Sequence, residues 1–328
     1  MTGTMAQDTT VLVAGGTGLA GSAVVRQLLA NQNCRIRVPY RGSGGLHYDD
    51  PHIEYVKADL TNAEDCRRVA QDCDMAVMAA AFTAGARSAL TEPWLQVTDN
   101  VIMDMRMLEA FHVCGVRRVV YVSTATVYQE SSDLIREEDL RWDLDPSPAY
   151  FGVAWAKRYL EKACRFWHDK SGMEILIARL ANVFGPGARF DPQTSHFVAA
   201  LVRKAQDRMD PFEVWGSPDV VRDVIYADDF GRAVVAMLTA TGMPFDIFNI
   251  GSGRTITVGQ VVDEILRHSG HRPKAVQFQS NAPSTSRFRA LDCSKARDQL
   301  GWQPEIGVED GLRRTVDWWR ANALTWQR

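Results

Sequence analysis

Short apolar runs alternate with segments of helical periodicity along the first part of the chain. The run at residues 11–13 stops at glycines, and residues 22–30 then show helical spacing, which predicts a strand, a tight turn and a helix. Further strands are predicted at 34–38, 53–56, 75–78, 119–122 and 175–178, with helices at 63–71, 100–114 and 153–167 between most of them. Such alternation predicts a parallel sheet covered on both faces, so the expected fold class is α/β, doubly wound, of the Rossmann type.

The alternation weakens beyond residue 182, where helices predominate. Apolar spacing predicts a strand at 212–215 and helices at 196–206, 229–239, 258–268 and 308–322. Because ligands of open parallel sheets bind beyond the carboxyl ends of the strands, we expect this smaller region to close over that crevice and contact the substrate. A boundary near Leu180 divides the chain into a dinucleotide-binding domain, 1–180, and a substrate region, 181–328.

Charge and cysteine content argue against several classes of protein. The 37 Lys and Arg and 40 Asp and Glu residues give a net charge of −3 with no long block of one sign, so we expect no nucleic-acid partner. The six cysteines contain no Cys-x-x-Cys pair, which argues against a zinc site and a disulfide framework, and no metal is expected. The first ten residues are polar, without the basic-then-apolar pattern typical of a leader, and the apolar run at 75–82 is too short to cross a bilayer, so we expect a cytoplasmic protein without a membrane partner.

Glycines follow the first predicted strand and open the first predicted helix, in the order Gly15-Gly16-Thr17-Gly18-Leu19-Ala20-Gly21. At such a turn, glycines let the backbone approach a pyrophosphate, whose charge the free amides of the helix N-terminus stabilise. A plain strand-to-helix turn is the simpler interpretation. Glycines in this context favour a dinucleotide site, with Gly15, Thr17, Gly18, Leu19 and Gly21 as cofactor-binding residues.

The residues after the second strand bear on which nicotinamide cofactor is bound. NAD sites commonly place an acidic residue there, about 20 residues after the glycines, but residues 35–43 contain arginines and no acid. Arg41, alone or with Ser43, is therefore predicted to meet the 2′-phosphate of NADP, which we expect in preference to NAD. A solvated loop arginine is the alternative.

Two further segments end predicted strands on the same side. Asp59 and Leu60 end the third strand, where a carboxylate could contact the adenine. The small Ala79, Ala80 and Ala81 end the fourth, where a cofactor could lie flat. Packing or turn formation explains either segment equally well.

These motifs and later ones resemble extended short-chain dehydrogenase/reductases that act on nucleotide sugars, the NAD-dependent epimerase/dehydratase family. The further motifs span nearly the whole chain and are Val122 to Tyr128, Ala156-Lys157-Arg158, Arg179 to Pro186 and Leu300-Gly301-Trp302. The second half is most similar to the GDP-fucose synthase subfamily, through Phe190 to His196, Val214 to Ser217 and Arg222-Asp223. The resemblance implies a homodimeric, NADP-dependent epimerase/reductase acting on a GDP-4-keto-6-deoxyhexose or a similar sugar nucleotide.

In this family a Ser or Thr, a Tyr, and a Lys four residues after the Tyr support hydride transfer. The resemblance assigns Thr124, with Ser123, to hold the sugar oxygen, and Lys157 to lower the pKa of the tyrosine and hold the nicotinamide ribose. Val153 stands where the tyrosine is expected, and valine cannot transfer a proton. Tyr150, a further catalytic candidate, is seven residues before Lys157, about 10 Å along a helix and not about 6 Å, so it cannot simply replace the missing phenol.

The resemblance also concerns epimerisation. Thr126 aligns with the cysteine that acts as the carbon-acid base in the synthase subfamily, and a threonine hydroxyl is too weak an acid to ionise near neutral pH. His196 occupies the position of the proton donor, and its pKa suits proton transfer, although a packing or capping histidine is the alternative. Ala125 and Thr126 stand where sugar 4,6-dehydratases carry Asp-Glu, so a dehydratase is not expected.

Candidate substrate contacts come from the second half of the chain. Arg222 resembles the arginine that grips the nucleotide diphosphate, with Arg287 or Arg289 as a second clamp, because guanidinium groups bind pyrophosphate through paired hydrogen bonds. Asn182 resembles an amide of the sugar pocket, and Trp215 either stacks on a base or packs against the protein.

Two other functions are consistent with the sequence. One is a nucleotide-sugar epimerase that keeps its NAD(P) bound and returns the hydride to the sugar. The other is a homologue that binds NADP and a sugar nucleotide without efficient catalysis, because the tyrosine is missing at Val153.

Overall fold

The computed structural model describes Met5 and residues 8–31, 33–42, 44–83, 93–192, 194–279, 286–324 and 326. Its strands are Thr10–Ala14 (β1), Arg35–Tyr40 (β2), Ile53–Lys57 (β3), Met75–Met78 (β4), Arg118–Thr124 (β5), Glu174–Leu180 (β6), Asn182–Phe184 (β7), Phe212–Trp215 (β8), Val221–Arg222 (β9), Val224–Tyr226 (β10), Phe245–Ile250 (β11), Ile256–Thr257 (β12), Val276–Gln279 (β13) and Phe288–Arg289 (β14). Its helices are Leu19–Asn31 (α1), Ala63–Ala70 (α2), Thr98–Val113 (α3), Phe151–Ser171 (α4), Phe197–Gln206 (α5), Ala227–Thr239 (α6), Val258–Ser269 (α7), Ser294–Leu300 (α8) and Val308–Asn322 (α9).

Each strand and helix predicted from apolar spacing is present in the structure. The largest shift of an end is in α4, which continues to Ser171 where the pattern predicted an end at residue 167. Gly172 ends this helix with φ +71°, a left-handed conformation that glycine adopts without strain. None of the helices in the described part of the chain is both long and apolar enough to cross a bilayer.

Seven parallel strands of the described residues form the main sheet, in the order β3-β2-β1-β4-β5-β6-β11. This confirms the predicted doubly wound α/β fold. The connections run in opposite directions from β1 and β4, so the carboxyl ends of these two neighbours border a crevice. The strands are apolar on both faces because helices cover both, and Leu12 and Val13 of β1 are fully buried in two different core clusters.

Residues after β6 contribute both to the main sheet and to a smaller region with its own core. Strand β11 lies beside β6 at the edge of the main sheet, and its apolar run is interrupted by Asp246 and Asn249, which is why it is missing from the predicted strands. In the smaller region the rings of Phe190 and Trp319 stack 4.2 Å apart within a third apolar cluster. The domain boundary at residue 180 remains a prediction. Strand β11 does not follow it, because it comes after residue 180 but pairs with β6 in the main sheet.

Candidate cofactor and substrate site

The turn after β1 is shaped by glycines that a larger residue could replace only if neighbouring backbone moved. Gly15 has φ +83°, and a Cβ on it would lie 2.6 Å from the Ala80 backbone nitrogen. A Cβ on Gly21 would lie 2.2 Å from the Gly15 carbonyl oxygen, so α1 packs directly on the turn. The Gly18 N–H donates to that same carbonyl at 2.8 Å. The turn and residues 79–81 therefore meet at the crevice, and this cradle fits a dinucleotide pyrophosphate at the start of α1, where Leu19 is the first residue.

Asp59 and Leu60 form the turn between β3 and α2. The Asp59 carboxylate accepts hydrogen bonds from the Thr61 N–H at 3.0 Å and the Thr61 hydroxyl at 2.7 Å, which lower the pKa of Asp59. Its backbone N–H donates to Asp65 at 2.8 Å, and Leu60 is buried against α2. Among the described groups these contacts account for turn formation, and an adenine contact by Asp59 stays a prediction.

A cavity of about 340 Å³ lies beside the glycine turn. It is lined by Thr17, Arg41, Gly42, Gly44, Arg189 and Thr194. The Arg41 guanidinium lies 4.7 Å from the centre of the Phe82 ring, a cation–π contact that orients it. The structure thus brings Arg41 to a cavity next to the glycines, as a phosphate contact requires, whereas Ser43 lies outside the described residues.

Lys157 occupies a buried cluster with two residues that the sequence did not single out. Its Nζ donates to Asp104 Oδ2 at 3.0 Å, to the Tyr121 hydroxyl at 2.8 Å and to the Val122 carbonyl at 3.3 Å. The Tyr121 hydroxyl donates to the same Asp104 oxygen at 2.6 Å, and burial, followed by the Asp104 charge, raises the pKa of Tyr121 well above its ordinary value. An ammonium has three protons, so Lys157 as placed has none left for a ribose hydroxyl.

Ser123 and Thr124 are adjacent in sequence but face different surroundings. The Ser123 hydroxyl is buried and donates to Glu161 at 2.6 Å, and Glu161 in turn pairs with the buried Arg179 at 2.8 Å. The expectation that Ser123 holds the sugar oxygen is therefore wrong for this structure, because its side chain belongs to an internal ion-pair network. Successive residues of a strand point to opposite faces, which leaves Thr124 on the side of the crevice.

Thr124 ends β5 and lines a small cavity of about 40 Å³. Its hydroxyl oxygen accepts from the Thr126 backbone N–H and from the Thr126 hydroxyl, both at 3.2 Å. When the Thr126 hydroxyl is the donor of this pair, the proton of the Thr124 hydroxyl is available to a ligand. Thr126, Asn182 and Arg289 line the same cavity, which brings four predicted site residues together.

Tyr150 does not lie on α4, which begins at the next residue, but in a 3-10 turn over Pro148–Tyr150. Its separation from Lys157 is therefore not the distance of seven residues along one helix. The Arg289 guanidinium lies 4.6 Å from the centre of the Tyr150 ring. Burial, followed by the neighbouring Arg289 cation, lowers the pKa of Arg222 to about 10. The structure thus groups Tyr150 with both predicted diphosphate contacts.

The structure also separates the two candidates for the second arginine clamp. Arg289 is buried to 9% exposure, whereas Arg287 is exposed on the same segment. Arg222 donates to the carbonyls of Val221 and Ser286 at 2.7 and 2.8 Å, which fixes its position beside β14. Trp215 ends β8 with 47% of its surface exposed and lines neither cavity, so a base-stacking role for it stays a prediction.

His196 precedes α5 and is exposed, and its side chain makes no capping hydrogen bond. The surrounding protein shields the imidazole from water, and this desolvation, followed by the Arg189 cation, lowers the pKa of the imidazole. The neutral form therefore predominates at neutral pH, and this form accepts protons. His196 lines neither of the two cavities, so the structure does not bring it to Thr124.

Sequence reasoning missed Asp104, Tyr121 and Arg189. Asp104 carried a signal, because it is an acidic residue on the apolar face that the predicted helix over 100–114 turns to the sheet. Tyr121 lies in an apolar strand and Arg189 in a loop, and neither pattern distinguishes a site residue from a packing or surface residue.

Comparison with known proteins agrees with this geometry. A model of the NAD dependent epimerase/dehydratase family matches residues 11–251. A UDP-glucuronate 4-epimerase of Thermodesulfobacterium geofontis is 29% identical over 83% of this chain and 80% of its own. A GDP-L-fucose synthase of Sinorhizobium fredii is 28% identical over 94% of each chain. A solved dTDP-glucose 4,6-dehydratase of Streptomyces venezuelae with NAD bound is 26% identical with a TM-score of 0.86, covering 97% of this chain and 99% of that one. The chain belongs to the NAD dependent epimerase/dehydratase family, whose members named here modify nucleotide sugars.

Proposed function

We propose that the chain is an NADP-dependent nucleotide-sugar epimerase/reductase acting on a GDP-4-keto-6-deoxyhexose or a closely similar sugar nucleotide. The observation that carries the proposal is the cavity shared by Thr124, at the end of β5, and Arg289, from β14. A hydroxyl able to donate to a sugar oxygen and a guanidinium suited to a diphosphate meet there, beside the crevice of the sheet. The guanine base and the keto sugar rest on the resemblance of residues 190–223 and on the name of the Sinorhizobium relative.

In this proposal each candidate residue has a separate role. A bound nicotinamide supplies or accepts hydride. Thr124 donates a hydrogen bond to the sugar oxygen, and Arg222 and Arg289 hold the diphosphate, with Asn182 at the sugar. The resemblance assigns the proton transfer at the sugar carbon to His196, which lines neither cavity, so this role requires the bound sugar to extend beyond the Thr124 cavity. The lowered pKa of His196 makes the proton-accepting form the resting one. Lys157 can reach a ribose hydroxyl only by exchanging one of its three internal hydrogen bonds.

A second candidate function is binding of NADP and a sugar nucleotide without efficient turnover. Two observations favour it: Val153 offers no proton, and the Lys157 ammonium is saturated by Asp104, Tyr121 and Val122. A third, epimerisation with a retained cofactor that returns the hydride, agrees with the epimerases among the relatives.

Turnover with NADPH distinguishes the three. We expect a panel of 4-keto sugar nucleotides with GDP and UDP carriers to cause a loss of nicotinamide absorbance, with the GDP sugar fastest. No loss at any enzyme level with saturating NADPH would refute the reductase. Cofactor found oxidised in the purified protein, with sugar inversion and no net consumption, would identify the epimerase that returns its hydride. Ordinary binding of both ligands with no chemistry would identify the binding protein.

A homodimer in the cytoplasm is part of the proposal. Phe151, Tyr159 and Phe166 are each more than half exposed on α4, and their spacing of eight and seven residues keeps them near one face. Ile102 and Val113 are exposed on α3, which packs beside α4. Sedimentation equilibrium should show a dimer that the pair of substitutions Tyr159→Glu and Phe166→Glu converts to monomer. A monomeric unsubstituted chain at assay concentration would contradict the dimer.

A further inference from the structure

The cavity beside the glycine turn has a second arginine that comes from the other half of the chain. Arg189 follows β7, and it lines this cavity together with Arg41, which follows β2. Ala188 and Phe190 on either side of it are buried in the core of the smaller region, so the backbone that carries Arg189 is fixed. The cavity is thus walled by both halves of the chain.

We propose that Arg41 and Arg189 clamp the adenosine 2′-phosphate of NADP between them, so that Arg189 is a determinant of cofactor specificity. This inference rests on the NADP preference in the proposed function. The end of the second strand is where the adenosine ribose of a dinucleotide binds, whereas the pyrophosphate binds at the start of the first helix. The cavity is lined by Arg41, Gly42 and Gly44 after the second strand and by Thr17 of the glycine turn, so it extends from the pyrophosphate cradle to the place of the ribose.

Both guanidinium groups contact one short segment of the chain, Phe82 and Thr83. The Phe82 ring supports Arg41 at 4.7 Å, and the Thr83 carbonyl accepts a hydrogen bond from Arg189 Nη1 at 2.9 Å. The buried Asn100 fixes that segment, since its Oδ1 accepts from the Phe82 N–H at 2.8 Å and its Nδ2 donates to the Phe82 carbonyl at 3.1 Å. The two cations are therefore pre-positioned on a common support.

Positive charge exceeds negative charge at this cavity, where the Asp59 carboxylate interacts with Arg41 only through a longer-range electrostatic effect that helps to lower the Asp59 pKa. Within the described residues, neither Arg41 nor Arg189 forms a salt bridge with a carboxylate. Burial, followed by the Arg41 cation, lowers the pKa of Arg189, as expected for a cation held near a second cation. Two guanidinium groups that face one cavity, with no ion-pair partner among the described residues, are a favourable site for a dianionic phosphate, which each can bind through paired N–H groups.

The test is cofactor affinity measured by calorimetry on the intact protein and its variants. We expect the unsubstituted protein to bind NADPH more tightly than NADH. Arg189→Gln should raise the Kd for NADPH about 10- to 100-fold, the range expected for losing a hydrogen bond from a charged group, and leave the Kd for NADH nearly unchanged. Arg41→Gln should act in the same direction. Arg208→Gln, an exposed arginine after α5, is the matched control and should leave both constants unchanged.

Smaller probes identify the phosphate concerned. Adenosine 2′,5′-bisphosphate should lose affinity for Arg189→Gln, whereas adenosine 5′-monophosphate and GDP should not. Equal losses for NADPH and NADH, or a loss for GDP, would overturn the inference by assigning Arg189 to the pyrophosphate or to the substrate. A preference for NADPH over NADH that is unchanged in Arg189→Gln would overturn it as well and leave the proposed function standing. An unsubstituted protein without preference for NADPH would instead refute the cofactor of the proposed function.

Discussion

Lys157 and Asp104 form a buried ion pair, with Nζ and Oδ2 3.0 Å apart, that joins α4 to α3. The Asp104 side chain is completely buried, and its other oxygen has no hydrogen-bond partner among the described residues. Tyr121 completes the cluster by accepting from Lys157 and donating to Asp104. The positive charge of Lys157 is thus neutralised by Asp104 inside the protein.

This relationship makes Asp104 important for stability. We predict that Asp104→Asn lowers the free energy of unfolding by about 3 to 5 kcal/mol, because it leaves the Lys157 ammonium buried without an opposite charge. Denaturant unfolding monitored by circular dichroism measures the change. Glu109→Ala on the same helix is the control, since its pair with Arg106 is exposed and should be worth less than about 1 kcal/mol. A loss of less than about 1 kcal/mol for Asp104→Asn would show that Lys157 is stabilised by other groups.

Position 153 tests whether the site lacks only its phenol. Val153 lies one helical turn before Lys157, so a tyrosine there would bring a hydroxyl to the neighbourhood of the ammonium. We predict that Val153→Tyr raises turnover of a 4-keto sugar nucleotide by about 100-fold or more, the usual contribution of a general acid. Val153→Phe adds the same bulk without the hydroxyl and should give no increase. Equal rates for the two variants would mean that proton transfer does not limit this enzyme.

The sequence predicted the main sheet and the glycine turn well because both depend on local patterns. Apolar spacing fixes strands and helices, and the conformation of Gly15 is imposed by the turn in which it lies. The partners of Lys157 could not be predicted, because Asp104 and Tyr121 are 53 and 36 residues away from it in the chain. The error at Ser123 has the same origin, since its partner Glu161 is 38 residues away and reaches it only in the folded sheet.

The contrast between the buried Arg289 and the exposed Arg287 gives a prediction for substrate binding. Arg289→Gln should raise the Kd for GDP or UDP about 10- to 100-fold, because a buried guanidinium loses its contact with the diphosphate. The exposed Arg287 on the same segment provides the control, and Arg287→Gln should leave the Kd unchanged. Calorimetry with nucleoside diphosphates measures both. Similar effects of the two substitutions would indicate a general charge effect and not a clamp.

The glycine turn gives a prediction for cofactor binding. Gly15→Ala must accommodate a Cβ 2.6 Å from the Ala80 nitrogen with φ +83°, so residues 79–81 have to move away from the turn. We predict loss of NADPH binding by calorimetry and a lowered melting temperature. Gly307→Ala is the control, because a Cβ there meets nothing within 4 Å, and it should keep full affinity. Unchanged affinity of Gly15→Ala would mean that the crevice does not hold the cofactor.

The ionisation of His196 predicts how epimerisation depends on pH. Desolvation by the surrounding protein and the Arg189 cation lower the pKa of the imidazole below its ordinary value of 6.5, so the proton-accepting form predominates at neutral pH. If this form removes the proton from the sugar carbon, exchange of that hydrogen for solvent deuterium should be constant near neutral pH and fall as the pH drops below 6.5. Nuclear magnetic resonance of the sugar nucleotide measures the exchange independently of hydride transfer. His196→Gln should abolish exchange, whereas substitution of the exposed His52 should preserve both its rate and its pH profile. An exchange rate that rises as the pH is lowered would contradict this role and make His196 a protonated donor. Such a donor would require a negatively charged ligand group beside His196, because Arg189 lowers the pKa of its imidazole.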